Sequence, residues 1–258
     1  MGTTFSCALF DVDGTVVDSA PAVVGVFEQT LRSFDLPVPL RERLRAYVGP
    51  PLRYSFGDLG YAPPLLERLV ATYRDLYSHC FLEPRPFDGI EGLFAALRSA
   101  GVALATATSK QAPMALAQFE HLGFMEYFDV VAGATPDPES TKTTVIHEAL
   151  ERLAGLGADV SRPVMVGDSV WDVRGAHEAG LPVIGSAVGM NRDIVIPGEN
   201  GFLATSTDTW AESLETLIAS PELRVRLGHR GREDAENRYS IAAVGPRLVQ
   251  LLREAAQP

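Results

Sequence analysis

The sequence predicts an α/β protein: a Rossmann-like parallel sheet core, an inserted all-helical cap and a C-terminal α/β extension. Two observations predict the core and the cap. Short, nearly continuous apolar runs alternate with helix-length periodic stretches, the pattern of parallel strands covered on both faces. A long segment from Ala20 to about Ser78 has helical periodicity and no strand pattern, and it lies between the first strand and the next helix. A chain of 258 residues suffices for one large or two modest folding units.

The elements follow in order. Phe5–Phe10 is an apolar strand that ends at Asp11. The segment Ala20–Ser78 reads as about four helices, broken at Pro37/Pro39, Gly49-Pro50-Pro51 and Pro63-Pro64. Pro84, Pro86 and Gly89 then punctuate the chain. Ile90, Leu93, Phe94 and Leu97 share one face of a helix over Ile90–Ala100. Strands are expected at Val102–Ala107, Phe128–Ala132, Pro163–Val166 and Pro182–Ile184, and helices at Pro113–His121, Thr143–Leu153 and Asp172–Ala179. Beyond these, Gly201–Ala204 can extend the sheet, Ser220-Pro221-Glu222 starts a helix, and Ile241, Val244, Leu248 and Leu251 form an apolar stripe. The expected division is 1–15 plus 86–187 as catalytic core, 16–85 as cap and 188–258 as extension.

Composition narrows the function. A net charge of −11 disfavours a general nucleic-acid binder, which needs a basic footprint. No apolar run approaches the ~20 residues of a membrane span. The start MGTTFSCALFDVDGT has no basic leader, so no signal or transit peptide is expected. Cys7 and Cys80 form neither a metal motif nor a disulfide framework, which points to a reducing cytoplasm. Charge is unevenly spread: residues 16–85 are neutral, residues 186–258 carry −2, and the remainder carries −9. Among 22 basic residues only Lys110 and Lys142 are lysines, which marks them as positions where a compact ammonium is needed and a planar fork would not fit.

Ligands of open parallel sheets bind beyond the carboxyl ends of the strands. The first strand is followed by Asp11-Val12-Asp13-Gly14-Thr15, the second by Thr108-Ser109-Lys110, the third by Thr141-Lys142 and the fourth by Gly167-Asp168-Ser169-Val170-Trp171-Asp172. Four carboxylates and both lysines therefore fall on one edge. Two like charges ~4 Å apart repel by roughly 4 kcal/mol at an effective dielectric of 20, so the cluster calls for a cation. Oxygen donors without His or Cys select a hard ion, Mg²⁺ before Ca²⁺ or Zn²⁺. Such an ion beside Lys142 would accept a phosphate dianion, with the Thr108 hydroxyl and backbone N–H groups around Gly14 holding its oxygens. The implied chemistry is phosphoryl transfer to a carboxylate.

DVDGT, Thr-Ser-Lys, the later Lys142 and GDSVWD resemble the four motifs of the haloacid-dehalogenase-like hydrolases, closest to the phosphoglycolate-phosphatase-like branch, over residues 5–185. FDVDGTVVDSAP, VGPPL, PFDGI, LATATSK and STKTTVIHEAL fit that branch. The resemblance implies that Asp11 is the nucleophile and a Mg²⁺ ligand. It makes Asp13 the general acid/base, with its backbone carbonyl on the metal. Thr108 would hold the transferring phosphoryl group together with Gly14 and Ser109, and Lys142 would neutralise Asp11 and the phosphate. Asp168 would be a further Mg²⁺ ligand, supported by Asp172. Dehalogenase members lack the second acid, so Asp13 argues against C–halogen hydrolysis. Arg53, in a stretch resembling a cap substrate loop, is read either as meeting a second anionic group of the substrate or as a surface helix-start residue. Lys110 is likewise left between a site role and a surface role.

After Gly185 the likeness changes. Ser186–Ala204, Trp210–Leu214 and Arg238–Ile241 resemble the closing segment of two-domain retaining glycosyltransferases. The chain has no room for a nucleotide-sugar fold beside the core, so the tail is read as structural. The expected function is Mg²⁺-dependent hydrolysis of a small phosphomonoester such as 2-phosphoglycolate through an aspartyl-phosphate. The alternatives are a nucleotidase, a pyrophosphatase, a sugar-phosphate phosphatase, or a glycosyltransferase-related module that binds a sugar nucleotide. The expected partner is a small phosphorylated metabolite, with no nucleic acid or membrane, and the chain is expected as a monomer or homodimer.

Overall fold

The structure, a computed structural model, describes residues 5–137, 139–186 and 194–239. In chain order the strands are β1 Cys7–Phe10, β2 Val17–Asp18, β3 Arg85–Pro86, β4 Ala103–Thr106, β5 Thr108–Gln111, β6 Gly133–Ala134, β7 Pro163–Gly167, β8 Val183–Ser186 and β9 Phe202–Ala204. The helices are α1 Ala20–Arg32, α2 Arg41–Arg45, α3 Leu52–Asp58, α4 Leu65–Tyr77, α5 Ile90–Ser99, α6 Ala112–Leu122, α7 Lys142–Gly155, α8 Val170–Glu178, α9 Thr207–Ala219 and α10 Pro221–Asp234.

Five strands form one parallel sheet in the order β4-β1-β7-β8-β9. The interior strand β1 pairs Phe10 with Thr106 on one side and with Val166 on the other, so Asp11 emerges between two strand ends. Alternate residues of β1 feed two cores, as the two-residue strand period requires. Ala8 and Phe10 join Phe94, Phe119 and Phe128, while Cys7 and Leu9 join Ile146, Ala149 and Val173. The first core is an edge-to-face aromatic cluster, with Phe94–Phe128 centroids 4.8 Å apart and Phe119–Phe128 4.9 Å apart.

The strand expected at Phe128–Ala132 is reduced to a single bridge between Val130 and Ala105. Side chains replace the rest of its ladder. The Asp129 carboxylate accepts from the Leu104 N–H at 3.0 Å, and the Thr106 hydroxyl donates to the Ala132 carbonyl at 2.7 Å. The chain then pairs one step later, as β6 beside β5.

The insert α1–α4 builds its own core around Phe27, whose ring lies 4.8 Å from Tyr73 and 5.1 Å from Phe56. Its two ends leave the core side by side, because β2 and β3 pair antiparallel, Val17 with Pro86 and Asp18 with Arg85.

The C-terminal extension adds β9 to the edge of the sheet, as Gly201–Ala204 leads one to expect. Ser220 caps α10, its hydroxyl accepting from the Leu223 N–H at 3.2 Å. Leu217 and Leu227 are buried in the same core as Phe10, and Ile194 and Val195 in the other. A polar staple adds to this: His177 of α8 donates to the Asn200 carbonyl at 3.0 Å, and the Asn200 amide reaches Asp234 at 2.9 Å. The stripe Ile241, Val244, Leu248 and Leu251 lies outside the described residues. Among the described residues no helix is long and apolar enough to cross a membrane.

Candidate active site

The loop after β1 folds tightly back on itself, the Val12 carbonyl accepting from the N–H groups of Val16 at 2.9 Å and Val17 at 3.0 Å. This places Asp11 against β7, its N–H donating to the Val166 carbonyl at 2.9 Å, and buries its side chain. Gly14 is required in this loop. Its φ is +89°, and a Cβ there would stand 2.3 Å from an Asp168 carboxylate oxygen. Thr15 approaches from the same loop and donates to Asp168 Oδ1 at 2.9 Å.

Lys142 is the hub. It opens α7, where Thr141 forms a capping box with Thr144. An ammonium offers three donors, and this one makes two hydrogen bonds and one further ion pair. Nζ contacts Asp11 Oδ1 at 2.8 Å, Asp172 Oδ1 at 2.7 Å and the Ala107 carbonyl at 3.0 Å. Burial opposes the charge on Lys142, but Asp11 and Asp172 outweigh it and hold the ammonium well above the ordinary lysine range. Asp172 is fully buried at the start of α8, and its other oxygen accepts from the Ser169 N–H at 2.8 Å and hydroxyl at 2.6 Å. Gly167 lacks a side chain for this reason: a Cβ would meet Asp172 at 2.4 Å. With both oxygens engaged, Asp172 orients Lys142.

Carboxylate oxygens of Asp11, Asp168 and Asp172 lie within 4.8 Å of one another. Burial, then Asp172 and Asp11, push the Asp168 carboxyl well above the usual carboxylate range. Among the described residues three carboxylates gather around the Lys142 ammonium, and every donor is oxygen. The cluster therefore has the charge deficit and hardness that suit Mg²⁺.

The remaining sequence-predicted residues divide. Thr108 is buried at the start of β5, its hydroxyl accepting from the Lys110 N–H at 3.2 Å, and Ser109 is half-buried beside it. Lys110 is no surface cation: its side chain is buried and its ammonium lies 3.0 Å from Asp13 Oδ1. Arg53 is not brought to the acidic cluster by any described contact; it makes a two-pronged pair with Glu67 on the insert, at 2.8 Å for each prong. The insert nevertheless touches the site. A Cβ on Gly49 would lie 3.3 Å from Ser169, and the Tyr54 ring packs edge-on to Trp171 at 5.2 Å. Neither the aromatic contact nor the role of Gln118, which binds Lys110, is anticipated from sequence. A signal for Gln118 is present: it shares a helix face with Ala115, Phe119 and Leu122.

Comparison with known proteins agrees with this fold. Residues 8–186 match the family model of haloacid dehalogenase-like hydrolases, and residues 175–234 match that of glycosyl transferases group 1. The chain is 35% identical over 217 residues to the tyrosine-protein kinase PtkA of Mycobacterium tuberculosis, covering 84% of this chain and 74% of that protein. It is 35% identical over 188 residues to the phosphoglycolate phosphatase of Caulobacter vibrioides, covering 67% and 75%. The solved structure of a predicted phosphatase from Clostridium acetobutylicum superposes with a TM-score of 0.72 at 29% identity, covering 84% of this chain and 99% of that one. With the family model spanning well over half of its residues, the chain belongs to the haloacid dehalogenase-like hydrolases.

Proposed function

We propose that this hydrolase cleaves a small phosphomonoester, 2-phosphoglycolate or a close analogue, through an aspartyl-phosphate on Asp11. The observation that carries the proposal is the Lys142 ammonium bound to Asp11 and Asp172 at once, with Asp168 beside them at the carboxyl edge of the sheet. Asp11 is held and charge-compensated from one side. An oxygen of Asp11 attacks phosphorus as the ester P–O bond breaks, and Asp13 gives its proton to the departing oxygen. Asp13, now a carboxylate, takes a proton from water as that water attacks the phosphorus of the aspartyl-phosphate. Inorganic phosphate leaves and the Asp11 carboxylate is restored. Thr108, Ser109 and the backbone around Gly14 hold phosphate oxygens, and Lys142 offsets their charge.

Asp11, the Asp13 backbone carbonyl and Asp168 would hold Mg²⁺, with Asp172 behind them. When bound, the ion supplies positive charge to the phosphate oxygens. Residues 16–85 serve as a cap whose loop at Gly49 and helix α3 at Tyr54 bound the substrate space, with Arg53 a candidate for a second anionic group once it leaves Glu67. The tail is structural. The free thiols of Cys7 and Cys80 suit a reducing cytoplasm.

A panel of phosphate esters, with released phosphate as readout, tests the proposal. It includes alkyl, sugar and nucleoside phosphates, pyrophosphate and p-nitrophenyl phosphate. EDTA is expected to abolish release and Mg²⁺ to restore it; full activity without metal would overturn the metal assignment. The likeness to a protein named as a tyrosine kinase favours one second reading, transfer to a phenol instead of water. ATP with a tyrosine-containing peptide is therefore an arm of the panel, and phosphate found on the peptide supports that reading.

A further inference from the structure

Lys110 is spare in the scheme above, yet its side chain is only 2% exposed. A buried ammonium is costly unless it is paired and fully hydrogen-bonded. Its neighbours are specific. Asp13 Oδ1 lies 3.0 Å from Nζ, Gln118 Oε1 accepts from it, and the Tyr77 ring stands 5.6 Å away. Gln118 is itself fully buried on α6 and donates its amide to the Phe81 carbonyl at 2.9 Å. Tyr77 ends α4, and Phe81 lies in the linker that returns the chain from the cap to β3. A continuous set of contacts thus runs Asp13–Lys110–Gln118–Phe81.

Asp13 is on a loop and its side chain keeps 14% exposure, so without a partner its carboxyl would sample several rotamers. An ammonium beside Oδ1 selects one of them and leaves Oδ2 as the oxygen that can face the substrate. Lys142 already supplies the charge next to Asp11, so a second lysine here is not needed to neutralise the nucleophile. Gln118 explains the choice of lysine, since a compact ammonium can pair with Asp13 and donate to Gln118 together.

We propose that Lys110 is a positioning residue that fixes the Asp13 carboxyl for proton transfer and ties it, through Gln118, to the return linker of the cap. This role rests on the phosphatase reading with Asp13 as acid. It has a consequence that a general structural role lacks. Proton donation matters when the departing oxygen is basic and matters little when it is a nitrophenolate.

The test compares kcat/KM, which reports the phosphorylation step, for the best alkyl ester of the panel and for p-nitrophenyl phosphate. Lys110→Met keeps the unbranched stem of the side chain and removes its ammonium. Against the alkyl ester a loss of about 30- to 100-fold is expected, up to the lower end of the range of general acid catalysis, because the acid itself is kept and only its positioning is lost. Against p-nitrophenyl phosphate the expected loss is about threefold or less, since little protonation is needed there. Gln118→Leu should show the same leaving-group pattern in reduced form, and it decides the matter if Lys110→Met does not fold. Equal losses for both esters, in folded protein, overturn the positioning role while leaving the phosphatase reading intact. No turnover of any ester by the unaltered chain overturns both.

Discussion

The Lys142 ammonium meets three acceptors at 2.7–3.0 Å, and that geometry decides what can replace it. A guanidinium is planar and presents its donors as a fork, so it cannot reach Asp11, Asp172 and the Ala107 carbonyl from one point. Lys142→Ala is expected to lower turnover by roughly 10²–10³, the scale of losing one preorganised charge stabiliser. Lys142→Arg should recover little of it. Steady-state phosphate release, with circular dichroism to confirm folding, checks both; near-normal turnover of Lys142→Arg would contradict the three-acceptor geometry. Asp11→Asn, nearly isosteric, should abolish turnover in a folded protein. These positions are legible in sequence because an acid directly after a buried apolar run has no ordinary structural use, and because two lysines stand out among 22 basic residues. The partners of Lys110 are not legible. Gln118 lies on α6, the helix that follows β5, and only the folded turn between the two brings its amide oxygen to the ammonium.

At the scale of elements, the caps at the starts of α7 and α8 do double work. Thr141 begins α7 so that Lys142 is its first residue, and Ser169 begins α8 while its N–H and hydroxyl hold Asp172. Helix starts, strand ends and β9 can all be found by pattern. The segment Phe128–Ala132 reads as a strand by the same pattern, because Val130, Val131 and Ala132 are apolar and buried. Apolar character reports burial and not pairing, and here Asp129 and Thr106 supply the bonds that a ladder would. The far end of α8 carries a pH-sensitive contact. Burial depresses the His177 pKa, while the Asn200 carbonyl and then Asp234 pull it upward. The folded state therefore binds fewer protons than the unfolded chain below about pH 6.5, the ordinary histidine value, and stability must fall as pH drops through that range. Urea midpoints at neutral pH and near pH 5.5 should show a larger loss for the unaltered chain than for His177→Gln. An identical loss in both would show that His177 does not carry the effect.

At the scale of the whole molecule, the question is whether the tail is a separate body or part of one. The family models divide the chain, with matches at 8–186 and 175–234 that overlap along α8 and β8. The packing does not divide it. Leu217 and Leu227 of the tail are in the core that contains Phe10, Phe94 and Val166, and β9 takes its hydrogen bonds from β8. Buried Arg224 stacks 5.1 Å from the Phe5 ring and donates to the Leu217 carbonyl, which fastens α10 to the start of β1. A shared core means that neither part can lose its packing without exposing the apolar surface of the other. The two tryptophans report on the two parts. Trp171 stands on α8 against Tyr54 of the insert, and Trp210 on α9 packs on the shared core. Single-tryptophan variants, Trp171→Phe and Trp210→Phe, followed by fluorescence in urea, are expected to give one coincident transition. Leu227→Ala, at a fully buried site, should cost about 2–5 kcal/mol and move both reporters together. If only the Trp210 signal moved, the tail would be an independent unit docked on the sheet, and its likeness to a transferase segment would have to be weighed as a function in its own right.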